Sequence, residues 1–208
     1  MFHDQSMRER IKKKLPYMFW VAEKELSRGG HVGMEVGTLR EKILVALLMY
    51  KFGADKVKEP PINSPQADVI IEGHCAPISI KTKTGRGHSG VKLVWTVDWQ
   101  KVEEFYRTYE PSTDLIMAVV DWSRTGFLAY VPQIIQRDTF KALGRERYIH
   151  CPKRGTNPRG VEFSSEAFRM NIEQARKEGL VIDIDWKIEG VDIPYNPYAR
   201  WVELWERD

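Results

Sequence analysis

The sequence predicts an α/β fold: a mixed central β-sheet flanked by α-helices. Three observations carry that expectation. Residues 66–84, QADVIIEGHCAPISIKTKT, hold two β-branched runs punctuated by Gly73 and Pro77, which reads as paired strands joined by a turn. The preceding segment GTLREKILVALLMYKFG (37–53) has the apolar body and the glycine stop of a helix. Further on, DLIMAVVDW (114–122) and TGFLAYV (125–131) read as a central strand and its neighbour.

In chain order, RERIKKK (8–14) alternates charge on an N-terminal helix. The helix over 37–53 takes Thr38 as its cap and Gly53 as its terminator. After the two strands of 66–84, VKLVW reads as another strand, and DWQKVEEFYRTY (98–109) places Trp99, Val102 and Tyr106 at helical spacing. SSEAFRMNIEQARKEG (164–179) is a helix capped by Ser164 or Ser165 and stopped by Gly179, and LVIDIDW (180–186) alternates as a half-buried strand does. With 208 residues, 42% of them hydrophobic, the chain can bury one sizeable core, and one domain over 1–208 is expected.

Charges on this scaffold point to a site. Asp68 begins one apolar run and Lys81 ends the next, so pairing of the two strands brings a carboxylate and an ammonium together at one end of the sheet. A structural ion pair is one reading of that juxtaposition. Glu41 supports another, because it shares a helix face with Val45, Leu48 and Phe52 and so belongs to a stripe turned inward.

A helix with an inward Glu, a strand with Asp, a strand with Lys and then the polar loop TGRGHSG resembles the PD-(D/E)XK nuclease superfamily, the fold of type II restriction endonucleases. The resemblance covers residues 37–131 and implies a catalytic core there, with residues 132–208 left for DNA recognition. It implies that Asp68 binds Mg²⁺, that the main-chain carbonyl of Ile80 is a second ligand, and that Lys81 positions or activates the attacking water. Glu41 would complete the metal site. The chain departs from the pattern at Ala67, where the family has proline, and at Ser79, where it has a second acid. Ser79 can hydrogen-bond but cannot replace a charge. The substitute acid is expected to be Glu41, or else Glu72, which strand alternation puts on the same face as Asp68.

The net charge of +3 does not by itself diagnose nucleic-acid binding, but residues 137–159 hold seven Lys or Arg against two acids, a local +5. Within that stretch CPKRGTNPRG (151–160) is a Pro- and Gly-rich loop able to enter a groove. Arg154, Asn157 and Arg159 carry donors suited to base edges, and Lys153 suits phosphate. Lys83, two residues beyond Lys81, is a candidate phosphate contact. Arg86 and His88 on the glycine loop are candidates for the DNA backbone. GRGHSG (85–90) imitates a dinucleotide-binding fingerprint, yet a strand follows where that motif needs a helix. His74-Cys75 and His150-Cys151 lack the spacing of a zinc site. Two cysteines, no signal segment and no long apolar span lead to the expectation of a reduced cytoplasmic protein with no membrane association.

These readings converge on a Mg²⁺-dependent endonuclease that cuts double-stranded DNA sequence-specifically and leaves 5′-phosphates, acting as a homodimer on a two-fold site. A Holliday-junction resolvase or homing endonuclease of the same fold stands as the near alternative, and a DNA-binding module without catalysis as the distant one.

Overall fold

The computed structural model describes residues 1–28, 31–32, 35–61, 67–85, 87–188 and 195–207. The chain opens with α1 (Gln5–Leu26), the short β1 (Ser27–Arg28) and β2 (His31–Val32), and α2 (Val36–Phe52). Then come β3 (Val57–Lys58), β4 (Ile70–Ile71), β5 (Ile78–Thr84), β6 (Lys92–Val94), α3 (Trp99–Thr108), β7 (Asp114–Val120) and β8 (Thr125–Val131). The chain closes with α4 (Gln133–Tyr148), β9 (Ile149–His150), β10 (Val161–Phe163), α5 (Ser165–Lys177), β11 (Val181–Asp185) and α6 (Ala199–Glu206).

The central sheet has the order β11-β8-β7-β5 and is mixed, as expected. β5 runs parallel to β7, with Ile78 opposite Asp114 and Thr84 opposite Val120, while β7–β8 and β8–β11 are antiparallel. Every residue of β7 is buried, which explains its uninterrupted apolar run: both faces of this strand are covered. On one face Leu115, Met117 and Val119 join a core with Val102 of α3, Ile135 of α4 and Phe168 of α5. On the other, Ile116, Ala118 and Val120 pack with Ile11, Leu15 and Phe19 of α1 and Leu44 and Leu48 of α2. Period-two alternation thus builds two cores from one strand. The helix of 164–179 forms as expected, with Ser164 accepting from the Ala167 amide.

Three local expectations are corrected. The cap of α2 is Glu35, without a side-chain cap bond, and Thr38 lies inside the helix; Gly53 does end it, at φ 103°. ADVII is not one strand. Only Ile70–Ile71 is extended and paired, with β3, while Val69 meets Ile78 in a single bridge. The ladder stops there because the Asp68 side chain takes the next amide of β5, that of Ile80, which a neighbouring strand's carbonyl would otherwise accept. Finally, α4 occupies a stretch in which the sequence reading assigned no particular element. Its Gly144 at φ 71° breaks the helical geometry, so the apolar period does not run through.

Candidate active site

Parallel pairing with β7 leaves β5 at the sheet's edge, and the segment 67–69 lies along that free edge. There Asp68 Oδ2 accepts a hydrogen bond from the Ile80 amide at 2.6 Å and another from Ser79 Oγ at 3.1 Å. The Lys81 ammonium stands 3.6 Å from the same oxygen. Three donors on consecutive residues of β5 converge on Oδ2, and Oδ1 takes none of them. Since the N–H and C=O of one strand residue point to the same side, the Ile80 carbonyl faces the edge at which Asp68 sits. The side chains of Asp68 and Lys81 remain 33% and 26% exposed, enough for a ligand to reach them, whereas Ser79 is buried.

Glu41 comes to this place from α2. It lines with Asp68 and Lys81 a cleft of about 420 Å³, whose walls also include Val45, Glu59 and Trp95. Burial raises the Glu41 pKa above the usual carboxylate value, the Asp68 charge raises it further, and Lys81 opposes both. The site therefore brings together Glu41, Asp68, Ser79, Ile80 and Lys81 from positions 40 residues apart in the chain. Glu72 is not among them. It lines a separate cavity with His74 and Phe52, because Asp68 stands outside β4 and Ile70–Ile71 pairs with β3 instead of continuing along β5, so one strand's alternation does not relate the two residues. Glu59 and Trp95 are residues the sequence reading missed. The Pro60-Pro61 pair beside Glu59 signals a stiff turn but not its destination.

Behind Glu41 lies a buried polar brace. Arg40, 2% exposed, pairs with Glu23 of α1 and donates to Thr84 Oγ1 of β5 at 2.8 Å. Trp122 Nε1 donates to the same Glu23 at 2.9 Å. One guanidinium thus ties α1, α2 and β5 together and sets the rotation of α2 that turns Glu41 into the cleft.

The expected DNA contacts divide. Lys83 donates to the Ser89 carbonyl, and burial lowers its pKa. His88 lies 5.8 Å from the Phe168 ring, against α5. Arg86 lies outside the described residues. In the loop 151–160, Lys153, Arg154, Asn157 and Arg159 are exposed, and Arg154 pairs with Glu103 of α3 at 2.9 Å. Trp99 Nε1 donates to the Thr156 carbonyl and the Gly160 amide to the Thr96 carbonyl, which docks the loop beside Trp95. Of the seven basic residues in 137–159, four are held by protein groups: Arg137 by Pro111, Arg145 by Tyr106 and Tyr109, Arg147 by Glu166, and Arg154 by Glu103. The local excess of charge therefore overstates the surface offered to a polyanion.

For a metal, the cleft offers the carboxylate oxygens of Asp68 and Glu41, and the Ile80 carbonyl faces the strand edge beside Asp68. Such a hard-oxygen set suits Mg²⁺, which keeps waters and takes one or two carboxylates. Among the described residues, no three His, Cys, Asp or Glu side chains form a metal-binding group by themselves. Both cysteines are free thiols. No helix among the described residues is long and apolar enough to cross a membrane.

Comparison with known proteins gives the same direction. The family model described as restriction endonuclease ThaI matches residues 1–207. No match is found among curated proteins. A solved structure described as a restriction endonuclease in complex with substrate DNA superposes with a TM-score of 0.86 at 46% identity, covering 98% of this chain and 96% of that one. The chain belongs to the restriction endonuclease ThaI family, and so to the endodeoxyribonucleases built on the type II restriction-endonuclease-like fold.

Proposed function

We propose that this chain is a Mg²⁺-dependent type II restriction endonuclease that hydrolyses both strands of a defined DNA site and leaves 5′-phosphates. The single observation that carries the reading is the convergence of the Ile80 amide, Ser79 hydroxyl and Lys81 ammonium on one oxygen of Asp68, in a cleft shared with Glu41. Asp68, Glu41 and the Ile80 carbonyl would hold the ion. Bound there, Mg²⁺ supplies neutralisation of phosphate charge and a lower pKa for water.

The protein's own groups do the positioning. Ser79 and the Ile80 amide fix the Asp68 carboxylate so that its other oxygen faces the cleft. Lys81 holds the attacking water by a hydrogen bond and stabilises the charge that develops on the phosphate. Water forms the new P–O bond, the P–O3′ bond breaks, and the proton from water ends on the leaving 3′-oxygen. Glu59 and Trp95 and the docked loop 151–160 border the path of the duplex, with Lys153 toward phosphate and Asn157 and Arg159 toward base edges, where Arg154 joins them on exchanging its exposed pair with Glu103 for DNA. The whole chain, 1–208, works as one domain, with the catalytic core in 37–131 and recognition in 132–208. Two copies related by a two-fold axis would place one such site on each strand.

The test is incubation of wild type and Asp68→Ala with a large plasmid or phage DNA, in Mg²⁺ and in EDTA. Discrete fragments from wild type in Mg²⁺ alone are expected. Cutting by both proteins, or none by wild type across divalent metals, overturns the assignment of the site.

A further inference from the structure

At the C-terminus, α6 carries apolar side chains that nothing among the described residues covers. Tyr198, Trp201, Val202 and Trp205 recur at spacings of three and four, so they share one face. Their exposures are 68%, 55%, 50% and 90%, and α6 has no buried residue. A face with two exposed indoles is an interaction surface rather than a solvated one. Its charges, Arg200 and Arg207 against Glu203 and Glu206, give no bias toward DNA phosphate.

An apolar groove of matching character lies elsewhere on the same molecule. Between α1 and α2 lies an apolar groove of about 360 Å³ with Ile11, Leu15, Ile43 and Leu47 in its walls. Its rim is basic: Arg10 and Lys14 lie one helical turn apart on α1, and Arg10 stands 5.2 Å over the Tyr50 ring. Glu206 borders the apolar face of α6, so the acidic edge of the helix matches the basic rim of the groove. The helix does not fill the groove of its own chain. Tyr195, just before α6, packs edge-on against Trp20, at 6.3 Å, beyond the Arg10–Met18 stretch that lines the groove.

We propose that α6 of one copy docks in the α1–α2 groove of a second copy, with the two-fold axis making the exchange reciprocal. A chain that carries both halves of the contact closes into a dimer and presents no unpaired half. This inference rests on the homodimer of the proposed function and specifies the surface that makes it. Trp201 and Trp205 fill the groove, and Glu206 meets Arg10 and Lys14.

The experiment is analytical ultracentrifugation, without DNA, of the wild-type chain, Trp201→Ala/Trp205→Ala, Glu206→Lys, Lys14→Glu, and the Glu206→Lys/Lys14→Glu combination, with circular dichroism to confirm folding and a separate gel-shift titration with plasmid DNA in EDTA. Wild type is expected to be a dimer. The tryptophan variant should raise the dissociation constant at least about tenfold, each single charge reversal should raise it less, and the combination should recover most of that loss. A wild-type dimer that the tryptophan and charge variants leave unchanged overturns the α6 contact and leaves the homodimer standing. A monomeric wild type overturns both. A tryptophan variant that stays dimeric but loses DNA affinity assigns α6 to DNA and overturns the proposal.

Discussion

Ser79 donates a hydrogen bond to Asp68 at 3.1 Å, so the residue standing where related nucleases carry a second acid serves as a holder of the first. Its hydroxyl is buried beneath the carboxylate and shares Oδ2 with the Ile80 amide. Ser79→Ala is therefore expected to cost one neutral-donor hydrogen bond, about 1 kcal/mol, and to slow cleavage roughly tenfold or less. Asp68→Asn removes the carboxylate charge proposed to hold the ion and is expected to slow cleavage by about 10³-fold or more. Single-turnover rates on one plasmid site measure both. Equal losses for the two variants would show that Ser79 contacts the reacting groups directly.

Glu41 makes the metal-free protein sensitive to pH. Burial and the Asp68 charge raise its folded-state pKa above the ordinary carboxylate value. A raised folded pKa means that the stability linked to the protonated form is fully present below the unfolded pKa and is lost as pH rises through the folded one. Glu41→Gln keeps a neutral side chain at every pH. In EDTA its melting temperature should exceed that of wild type at pH 8, and the difference should shrink toward pH 4. A difference that grows on acidification would contradict the burial of Glu41 in the cleft.

The brace behind the site predicts a coupled loss of stability and activity. Arg40→Met leaves Glu23 without its buried partner, at a cost of about 3–5 kcal/mol. The variant is expected to unfold at lower denaturant and, while still folded, to cut more slowly because α2 is no longer pinned to Thr84. Double replacement, Arg40→Met with Glu23→Gln, should recover part of the stability. Chemical denaturation of the three variants checks it.

Gly160 is the point at which the basic loop meets the cleft wall. Its φ is 89°, and an added Cβ would lie 2.3 Å from the Val94 carbonyl oxygen. Gly160→Ala must therefore move either the loop or the Val94–Trp95 backbone, costing about 1–3 kcal/mol. DNA affinity is expected to fall together with the melting temperature. Unchanged affinity would place the duplex away from Trp95.

The sequence alone determined the class of fold and singled out three charged residues, Glu41, Asp68 and Lys81, that meet in one cleft. Long elements with a clear period, such as the helix over 164–179 and the buried run of β7, are legible because burial on one or both faces writes itself into the spacing of apolar residues. Glu41, Asp68 and Lys81 stood out for a related reason: a charge inside an apolar run is costly and asks for an explanation. The fold around them matches the family to which the chain belongs.

Tertiary structure decided the rest. Whether ADVII remains a strand depended on Asp68 taking the Ile80 amide, a competition between side chain and backbone that no periodicity records. Glu72 shares a two-residue rhythm with Asp68 on paper, yet lines another cavity because only Ile70–Ile71 between them is strand and it pairs with β3 rather than β5. Glu59 and Trp95 enter the cleft from short segments with no period at all. Four of the seven basic residues in 137–159 are spent on protein partners, which charge counting cannot see. Local pattern reports what each segment must bury. Only the packed chain reports which distant groups it meets there, since those meetings are set by sheet order and helix rotation rather than by neighbours in sequence.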